Sequence, residues 1–446
     1  MIKYSLMTLG CPKNEVDSQH MNGFLRGEKD FKYIDNFKEA EVIIINTCGF
    51  IQDAKEESIE TILTALSYKE RYNCKSVIVT GCLTQRYSEE LKKDIPEIDA
   101  ILGISNFDEI AAVIKESLEG KETGGIEEAG FNYSSTLPRE LDNEVYAYLK
   151  IAEGCNNNCT YCSIPQIRGR VKSRSIADVK AEAEKIAESG IKELIIIAQD
   201  TTQYGVDIYG RSALAPLLKQ LAEIEDIKWI RVLYSYPEFI TEELIEVFAK
   251  KDKICNYFDL PIQHSSEKIR KLMNRKGNEK DIANIINKIR NKIPDAKLRT
   301  SLITGFPGES EEDFEQLKSF VKKHKFDRLG VFEFSREEGT AAYNFEPRVL
   351  ENIKSERKEE IMQLQQEISL AKNKELVGRT IEVIIEDQDQ DNYLARSRYD
   401  SPEIDNQIYI PIEGKELQIG EIYQAVIKEA FHYDLIGEIK DDIFNV

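Results

Sequence analysis

The chain has 446 residues, of which 41% are hydrophobic and 31% are charged, and its formal net charge is −20. This composition excludes a disordered or fibrous protein, and the length allows two or three domains, each with its own core. The acidic balance argues against a general nucleic-acid binder, because phosphate binding relies on clustered Lys and Arg. No apolar run approaches the ~20 residues that span a bilayer, and we recognise no signal-peptide pattern, so we expect a cytoplasmic protein.

Residues 1–118 alternate strand-like runs with helical patterns, which predicts βαβ units around an open parallel sheet. Three of the strand-like runs end in a cysteine, at Cys11, Cys48 and Cys82. Because ligands collect at the carboxyl ends of parallel strands, we expect these thiols to converge on one site. The alternative is three unrelated buried thiols, since free cysteine is among the most buried residue types. Cys74 precedes its strand, and we interpret it as a simple thiol.

The rest of the chain predicts a linker and two further domains, so the fold class is a multidomain α/β protein. Residues 119–143 carry Gly, Pro, Ser and charge without a sustained apolar period, which is typical of a linker. Residues 144–375 form strand–helix units, which predict a complete or partial (β/α) barrel with its chemistry at the carboxyl ends of the strands. A polar helix predicted over 355–376 leads away from that face. Residues 376–446 are short β-rich runs, which predict a small antiparallel β-barrel of about five strands, similar to an OB-fold.

The first barrel strand leads into "GCNNNCTYC", where Cys155, Cys159 and Cys162 have the spacing C-x-x-x-C-x-x-C. Structural zinc takes four ligands, and no fourth Cys or His lies nearby in the sequence. An iron–sulfur cluster normally takes four thiolates, so three cysteines leave one iron open to bind a small molecule. We therefore favour an iron–sulfur cluster over zinc at this loop.

The segment "CNNNCTYC" resembles the C-x-x-x-C-x-aromatic-C motif of the radical S-adenosylmethionine (SAM) superfamily. The resemblance implies a 4Fe–4S cluster on the three cysteines, an open iron that binds SAM, and a deoxyadenosyl radical formed by one-electron cleavage. It also implies that Tyr161 lies near the adenine. "LITGFPGE" (302–309), which contains Ile303 and Gly305, resembles the family's segment that lines the adenine pocket, although a plain loop is the alternative.

Other polar residues end the barrel's strand-like runs. "YFDLPIQH" ends in Gln263 and His264; Gln263 is a candidate contact to the cofactor or substrate, and we favour a packing or loop role for His264. Asp200 is a candidate substrate contact. Cys255 closes a predicted helix and has no assigned role.

Three further segments, "LGCPKNEVDSQ", "NTCGFIQDAKEESI" and "VTGCLTQRY", resemble the cysteine motifs of methylthiotransferases. The predicted domain order also resembles that family, whose C-terminal barrel is called TRAM, and the resemblance covers nearly the whole chain. It implies a second 4Fe–4S cluster on Cys11, Cys48 and Cys82, whose open iron holds a sulfur atom that is methylated. Two SAM molecules are then used, one as methyl donor and one as radical source. No catalytic residue is assigned beyond the cluster ligands.

The family has two substrate branches, and the C-terminal segment favours the protein-modifying one. "SRYDSPEIDNQIYI" (397–410) and "AFHYDLIGEI" (430–439) resemble the RimO-type branch, which modifies the β-carbon of an aspartate in a small-subunit ribosomal protein. Residues 376–446 hold sixteen Asp and Glu against six Lys and Arg, a net charge of −10. An acidic surface suits a basic ribosomal protein and repels phosphate, although it is also explained as a solubilising face.

We therefore expect a ribosomal-protein aspartate methylthiotransferase that also needs a low-potential electron donor. The alternative within the family is a tRNA adenosine methylthiotransferase, with tRNA the less favoured partner. The alternative of another class is an electron-transfer or cluster-carrier iron–sulfur protein. A membrane partner is not expected.

Overall fold

The computed structural model describes residues 1–130, 133–412, 414 and 416–440. They form two compact units, and each unit combines segments that are far apart in the chain. The first contains the described parts of Met1–Asp142, Ala152–Arg174 and Ser335–Tyr343, and the second contains those of Asn143–Ile151, Ser175–Phe334 and Asn344–Val446. Among the described residues, no helix has the length and apolar content that a membrane crossing requires.

A six-stranded parallel sheet is the framework of the first unit. Its strands are β1 (Ile2–Thr8), β2 (Phe31–Tyr33), β3 (Val42–Thr47), β4 (Ser76–Gly81), β5 (Ala100–Leu102) and β6 (Thr123–Gly125). Its helices are α1 (Pro12–Gly27), α2 (Gln52–Arg71), α3 (Cys82–Asp94) and α4 (Ile110–Leu118). The strand order is β2-β1-β3-β4-β5-β6, and every residue of β3 and β4 is buried, as a sheet covered on both faces requires. The predicted open parallel sheet is confirmed.

The segment predicted as a linker, residues 119–143, belongs to this unit over its described part up to Asp142, and Asn143 begins the next segment of the second unit. β6 adds a strand to the sheet, and the ring of Tyr133 packs against His20 and Phe107. The Arg139 guanidinium donates hydrogen bonds to Gln19 Oε1 at 2.6 and 2.9 Å. Hydrogen bonds and single aromatic contacts hold the segment, which explains why it lacks an apolar period. Residues 131 and 132 of the predicted linker lie outside the described residues.

β7 (Tyr146–Lys150) belongs to the second unit, and the chain then returns to the first unit with the cysteine loop. The loop segment contains β8 (Ala152–Glu153), α5 (Ile164–Ile167) and β9 (Lys172–Ser173). β8 and β9 pair antiparallel and close the base of the loop. Residues 152–174 therefore pack with the N-terminal sheet, although the sequence groups them with the barrel.

A parallel half-barrel forms the main part of the second unit. Its further strands are β10 (Glu193–Ile197), β11 (Trp229–Val232), β12 (Tyr257–Asp259), β13 (Lys297–Thr304) and β14 (Arg328–Glu333). Its helices are α6 (Ile176–Glu188), α7 (Val206–Tyr209), α8 (Leu214–Leu221), α9 (Glu242–Lys250), α10 (Glu267–Leu272), α11 (Glu279–Lys292), α12 (Glu311–His324) and α13 (Glu351–Lys374). The sheets β7-β10-β11 and β12-β13-β14 meet through a parallel bridge between Ile230 and Ile254. This confirms the predicted partial barrel.

The long polar helix α13 packs against the half-barrel and leads away from its carboxyl face, as predicted, because Lys354 near its start bonds the Phe334 carbonyl just after β14. Its Gln365 side chain donates to the Phe326 carbonyl at 3.0 Å, and Asn373 donates to the Phe431 carbonyl at 2.9 Å. Ile361 between the ends of the helix is fully buried. The buried face is largely polar and bonds to backbone carbonyls, so hydrophobic periodicity does not reveal it.

The C-terminal segment forms a closed five-stranded barrel. Its strands are β15 (Thr380–Gln388), β16 (Asn392–Ser397), β17 (Ile408–Pro411), β18 (Ile422–Ala430) and β19 (Leu435–Ile439). The closed order is β15-β16-β17-β19-β18, and the β17–β19 pair is parallel while the other pairs are antiparallel. A ring of five strands cannot alternate direction throughout, so the prediction of a purely antiparallel barrel is corrected. The last six residues of the predicted domain, 441–446, lie outside the described residues.

Candidate metal centre and cofactor-binding residues

Cys11, Cys48 and Cys82 lie at the carboxyl ends of three neighbouring strands. Cys11 immediately precedes α1, Cys48 immediately follows β3, and Cys82 begins α3 directly after β4. β1, β3 and β4 are adjacent in the sheet, so chain topology brings the three residues to one edge. Cys74, in contrast, lies before β4, and its thiol donates to the Ser76 carbonyl at 3.5 Å.

The three thiols influence one another's protonation. Burial raises the pKa of Cys48 to about 12, and the Cys82 and Cys11 thiols add to that shift. Burial also raises the pKa of Cys82; Arg168 opposes this shift and Cys11 adds to it. These mutual effects are consistent with the position of all three thiols at one edge of the sheet. A metal centre there would remove the protons, because a coordinating thiol is deprotonated.

Glycines beside the cysteines permit this close approach. Gly10 has φ +94°, and a Cβ there would lie 2.8 Å from Cys48 Cβ. Gly81 has φ +102°, and a Cβ there would lie 2.4 Å from the Thr47 carbonyl oxygen. A side chain at either position would collide with the neighbouring strand end. The dipeptides Gly10-Cys11 and Gly81-Cys82 are therefore a sequence signal for the site.

Arg168 lies against these thiols, and sequence reasoning missed it. Its Nη2 donates to Cys82 Sγ at 3.3 Å and to Asn14 Oδ1 at 2.6 Å. Its Nη1 donates to Asp17 Oδ2 and to Glu153 Oε2, both at 2.9 Å. The sequence alone does not distinguish Arg168 from Arg170, because the two differ only in burial: Arg168 is buried and Arg170 is exposed in the folded chain. No single-sequence signal could have found it.

The donor set fits an iron–sulfur cluster better than a single ion. In the part of the chain that the structure describes, no group of three or more His, Cys, Asp or Glu side chains is arranged to hold one metal ion. A 4Fe–4S cluster binds each thiolate at a different iron. Three thiols with a guanidinium beside them match the thiolate ligands and the negative charge of such a cluster.

Cys155, Cys159 and Cys162 lie together in the loop between β8 and α5, and all three are half-buried. The Cys155 amide donates to the Gly169 carbonyl, and the Cys162 amide to the Cys159 carbonyl, both at 3.1 Å. A cavity of about 330 Å³ is lined by Cys155, Asn156, Asn158, Pro165 and Arg170. The cavity beside Cys155 leaves room for a bound group.

The segment 335–343 is anchored in the same unit. Glu337 is buried and accepts from Arg86 Nη1 at 2.7 Å and from Lys55 Nζ at 2.9 Å. The Ala342 amide donates to the Thr160 carbonyl, in the cysteine loop, at 2.8 Å. Helices α2 and α3 thus hold a segment that packs on the loop.

The predicted cofactor contacts divide between the units. Tyr161 lies in the cysteine loop, whereas Gln263, Ile303 and Gly305 lie in the second unit. There the Ile303 amide donates to the Gln263 carbonyl at 2.8 Å, so those two residues are brought together. The Gly305 amide donates to Glu309 Oε2 at 2.8 Å, which holds the glycine turn.

The remaining predicted polar residues take structural contacts. His264 Nδ1 accepts from the Ser266 amide at 3.0 Å, and burial lowers the pKa of His264 to about 3, so a neutral ring packs there. Asp200 Oδ1 accepts from the Thr202 amide at 3.0 Å and caps a turn. Cys255 is fully buried beyond the end of α9, which ends at Lys250, so it does not close that helix as predicted.

Three family descriptions match separate parts of the chain, and known proteins match nearly all of it. The radical SAM superfamily matches residues 149–321, the uncharacterized protein family UPF0004 matches 3–103, and the TRAM domain matches 377–439. A Clostridioides difficile protein named ribosomal protein uS12 methylthiotransferase RimO is 52% identical over 98% of this chain and 99% of its own. Its namesake from Acetivibrio thermocellus is 47% identical over 98% of each chain.

The chain belongs to the RimO family of methylthiotransferases. As a RimO-family member it is a radical SAM enzyme, with 4Fe–4S clusters and SAM as cofactors. The prediction of a methylthiotransferase is confirmed over that of an electron carrier. Solved structures that resemble this RimO-family chain are similar to it in fold alone. The radical SAM methyltransferase TsrM from Kitasatospora setae, with cobalamin and a 4Fe–4S cluster bound, is 14% identical with a TM-score of 0.56, covering 77% of each chain.

Proposed function

We propose that this enzyme attaches a methylthio group to the β-carbon of an aspartate in ribosomal protein uS12. The observation that carries the proposal is the 52% identity, over 98% of the chain, to a relative named for that protein. The two separate cysteine trios support it, since a radical reaction and the handling of sulfur need different centres.

Each trio is proposed to hold one 4Fe–4S cluster. The barrel-associated ligands are Cys155, Cys159 and Cys162, and the ligands of the second cluster are Cys11, Cys48 and Cys82. When bound, the clusters and SAM supply the electron that generates the radical and the sulfur that is transferred. The glycines at positions 10 and 81 keep the second trio's strand ends close enough to share a cluster.

Tyr161, Gln263, Ile303 and Gly305 are proposed to contact SAM. Ile303 offers an apolar side chain suited to an adenine ring, and its backbone bond to Gln263 keeps the two residues in register. The Gly305 amide is already occupied by Glu309, and a Cβ there would lie 2.2 Å from Lys354 Cγ, so the glycine permits the left-handed turn (φ +74°) that places its neighbours. These residues would orient the nucleoside and exclude water from a reactive intermediate.

Some acidic side chains of the C-terminal barrel segment are paired with other residues of the second unit. Glu386 accepts from Arg396 Nε, and Asp400 accepts from Arg328 Nε, each at 2.8 Å. Asp405 accepts from the Tyr257 hydroxyl at 2.5 Å. These carboxylates support the packing of the barrel and are not available to a substrate.

The exposed acids are the proposed attraction for uS12. Asp387 and Asp391 lie exposed at the β15–β16 turn, and Glu416 is exposed further along the barrel. Such a surface attracts a basic ribosomal protein and repels the phosphates of tRNA. A low-potential electron donor is proposed as the second partner.

Anaerobic reconstitution with uS12 and tRNA side by side tests the function. We expect a methylthio adduct on one uS12 aspartate, detected by mass spectrometry of its peptides, and none on tRNA nucleosides. The Cys155, Cys159, Cys162→Ala variant is the negative control. An adduct on tRNA alone would overturn the substrate assignment, and SAM turnover with no adduct on either would overturn the transfer itself.

A further inference from the structure

Arg168 joins the two cysteine trios within the first unit. It follows α5 in the segment that carries Cys155, Cys159 and Cys162, yet its Nη2 donates to Cys82 Sγ at 3.3 Å. Its Nη1 donates at 2.9 Å to Glu153, which lies on β8 at the start of the same loop. One guanidinium therefore bonds both a sulfur of one trio and the base of the other trio's loop.

We propose that Arg168 is a positioning residue that bonds the Cys82 sulfur and sets the reduction potential of the cluster on the second trio. The inference rests on the proposed function, which assigns Cys11, Cys48 and Cys82 as that cluster's ligands.

The charges around Arg168 determine the direction of the effect. Hydrogen bonds to ligand sulfurs and the local net charge set the potential of an iron–sulfur cluster. Reduction adds negative charge, so a buried guanidinium on the sulfur stabilises the reduced form. Asp17 and Glu153 have side chains that are 6% and 3% exposed, and Arg168 compensates both. Without it, the two buried carboxylates lose this countercharge, and the additional local negative charge disfavours reduction.

The geometry also explains why the residue is an arginine. Its two terminal nitrogens reach four acceptors, which are Asn14, Cys82, Asp17 and Glu153, at 2.6 to 3.3 Å. A lysine ammonium would keep the charge but has one nitrogen, so it cannot bridge groups on opposite sides. Arg168→Lys therefore keeps the positive charge and removes the bridging hydrogen bonds, whereas Arg168→Gln removes the charge.

The test uses full-length protein with Cys155, Cys159 and Cys162 replaced by Ala, so that only the second cluster forms. In this parent we compare Arg168→Gln, Arg168→Lys, Glu153→Gln and the control Lys172→Gln, which removes an exposed cation from the same segment. Iron content and the apo-protein's circular dichroism are measured first. The reduction potential then comes from an anaerobic redox titration followed by electron paramagnetic resonance.

We expect Arg168→Gln to lower the equilibrium constant for reduction at least tenfold, which is 59 mV for a one-electron couple. Arg168→Lys should shift this constant less, Glu153→Gln should shift it the opposite way, and Lys172→Gln should match the parent. Loss of iron from folded Arg168→Gln but not from Arg168→Lys also supports the proposal. Unchanged potentials, shifts of one sign in Arg168→Gln and Glu153→Gln, or equal unfolding of both Arg168 variants would overturn it. A parent that binds no iron would instead refute the ligand assignment of the proposed function.

Discussion

Arg396 on β16 donates a hydrogen bond to Glu193 on β10, with 2.5 Å between Nη2 and Oε2 and both side chains buried. The other carboxylate oxygen of Glu193 accepts from Arg231 Nε at 2.8 Å. The C-terminal barrel is thus tied to the half-barrel by charges that water does not reach. Removing one member of such a set leaves the others buried and uncompensated.

Glu193→Gln is expected to lower the free energy of unfolding of the cluster-free chain by about 3 to 5 kcal/mol, because the buried Arg231 loses its carboxylate partner and Arg396 keeps only Glu386. Urea unfolding at neutral pH measures the loss. Glu429→Gln, at an exposed position of β18, is the control and should stay within about 0.5 kcal/mol of the wild type. Equal losses in the two variants would contradict the role of the buried pair.

The same carboxylate predicts a pH dependence. Burial opposes the shift, but pairing with Arg396 and Arg231 lowers the pKa of Glu193 below its ordinary 4.5. A depressed pKa contributes stability above the unfolded value and loses it as pH falls. The stability gap between wild type and Glu193→Gln should therefore be constant near neutral pH and shrink below pH 4.5. Unfolding curves at a series of pH values measure it, and a gap that widens in acid would contradict the prediction.

Gly81→Ala is expected to remove the second cluster while sparing the first. A methyl group at this position would lie 2.4 Å from the Thr47 carbonyl oxygen, so the end of β4 must shift and Cys82 with it. Iron after reconstitution should fall from about eight to about four atoms per chain. Gly27→Ala is the matched control, since a Cβ at Gly27 meets nothing within 4 Å. Full iron binding by Gly81→Ala would show that the strand ends do not need this close approach.

Variants of the two cysteine trios should lose different activities. Replacing Cys155, Cys159 and Cys162 with Ala should abolish reductive cleavage of SAM to deoxyadenosine. Replacing Cys11, Cys48 and Cys82 should retain some cleavage but abolish methylthio transfer, because only the sulfur-holding centre is lost. Chromatography of deoxyadenosine and mass spectrometry of uS12 give the two readouts. Methylthio product from the second variant would place the sulfur elsewhere.

Reversing exposed acids of the C-terminal barrel should weaken substrate capture. Asp387, Asp391 and Glu416→Lys is expected to raise the apparent KM for uS12, most strongly at low salt, because exposed charges are screened beyond the ~8 Å Debye length of physiological salt. Deoxyadenosine formation without uS12 should not change. Glu56, Glu57 and Glu60→Lys, on exposed positions of α2, makes the same charge change in the other unit and is the control. An equal rise in KM in both sets of variants would show that the net charge of the protein, and not the local acidic surface of the C-terminal barrel, determines uS12 capture.

The spacing of the cysteines was sufficient to propose six cluster ligands, and the alternation of strand-like and helical runs was sufficient to predict the architecture. Each cysteine trio is recognisable because its members share one kind of position. Cys155, Cys159 and Cys162 lie in one loop, whereas Cys11, Cys48 and Cys82 each end a strand-like run. The parallel sheet, the half-barrel and the five-stranded barrel follow from apolar alternation, since each strand must bury its side chains.

Tertiary structure alone decided what lies beside those ligands and which segments pack together. Arg168 and Arg170 carry the same side chain two positions apart, and only folding buries the first against Cys82 and leaves the second exposed. The segment 133–142 and helix α13 pack through hydrogen bonds to backbone and polar side chains, which leave no apolar period. The acids of the C-terminal barrel look uniform in the sequence, yet Glu386 is paired internally and Asp387 is exposed. Partner choice for a charged side chain depends on residues distant in the chain, so composition predicts the net charge but not where it acts.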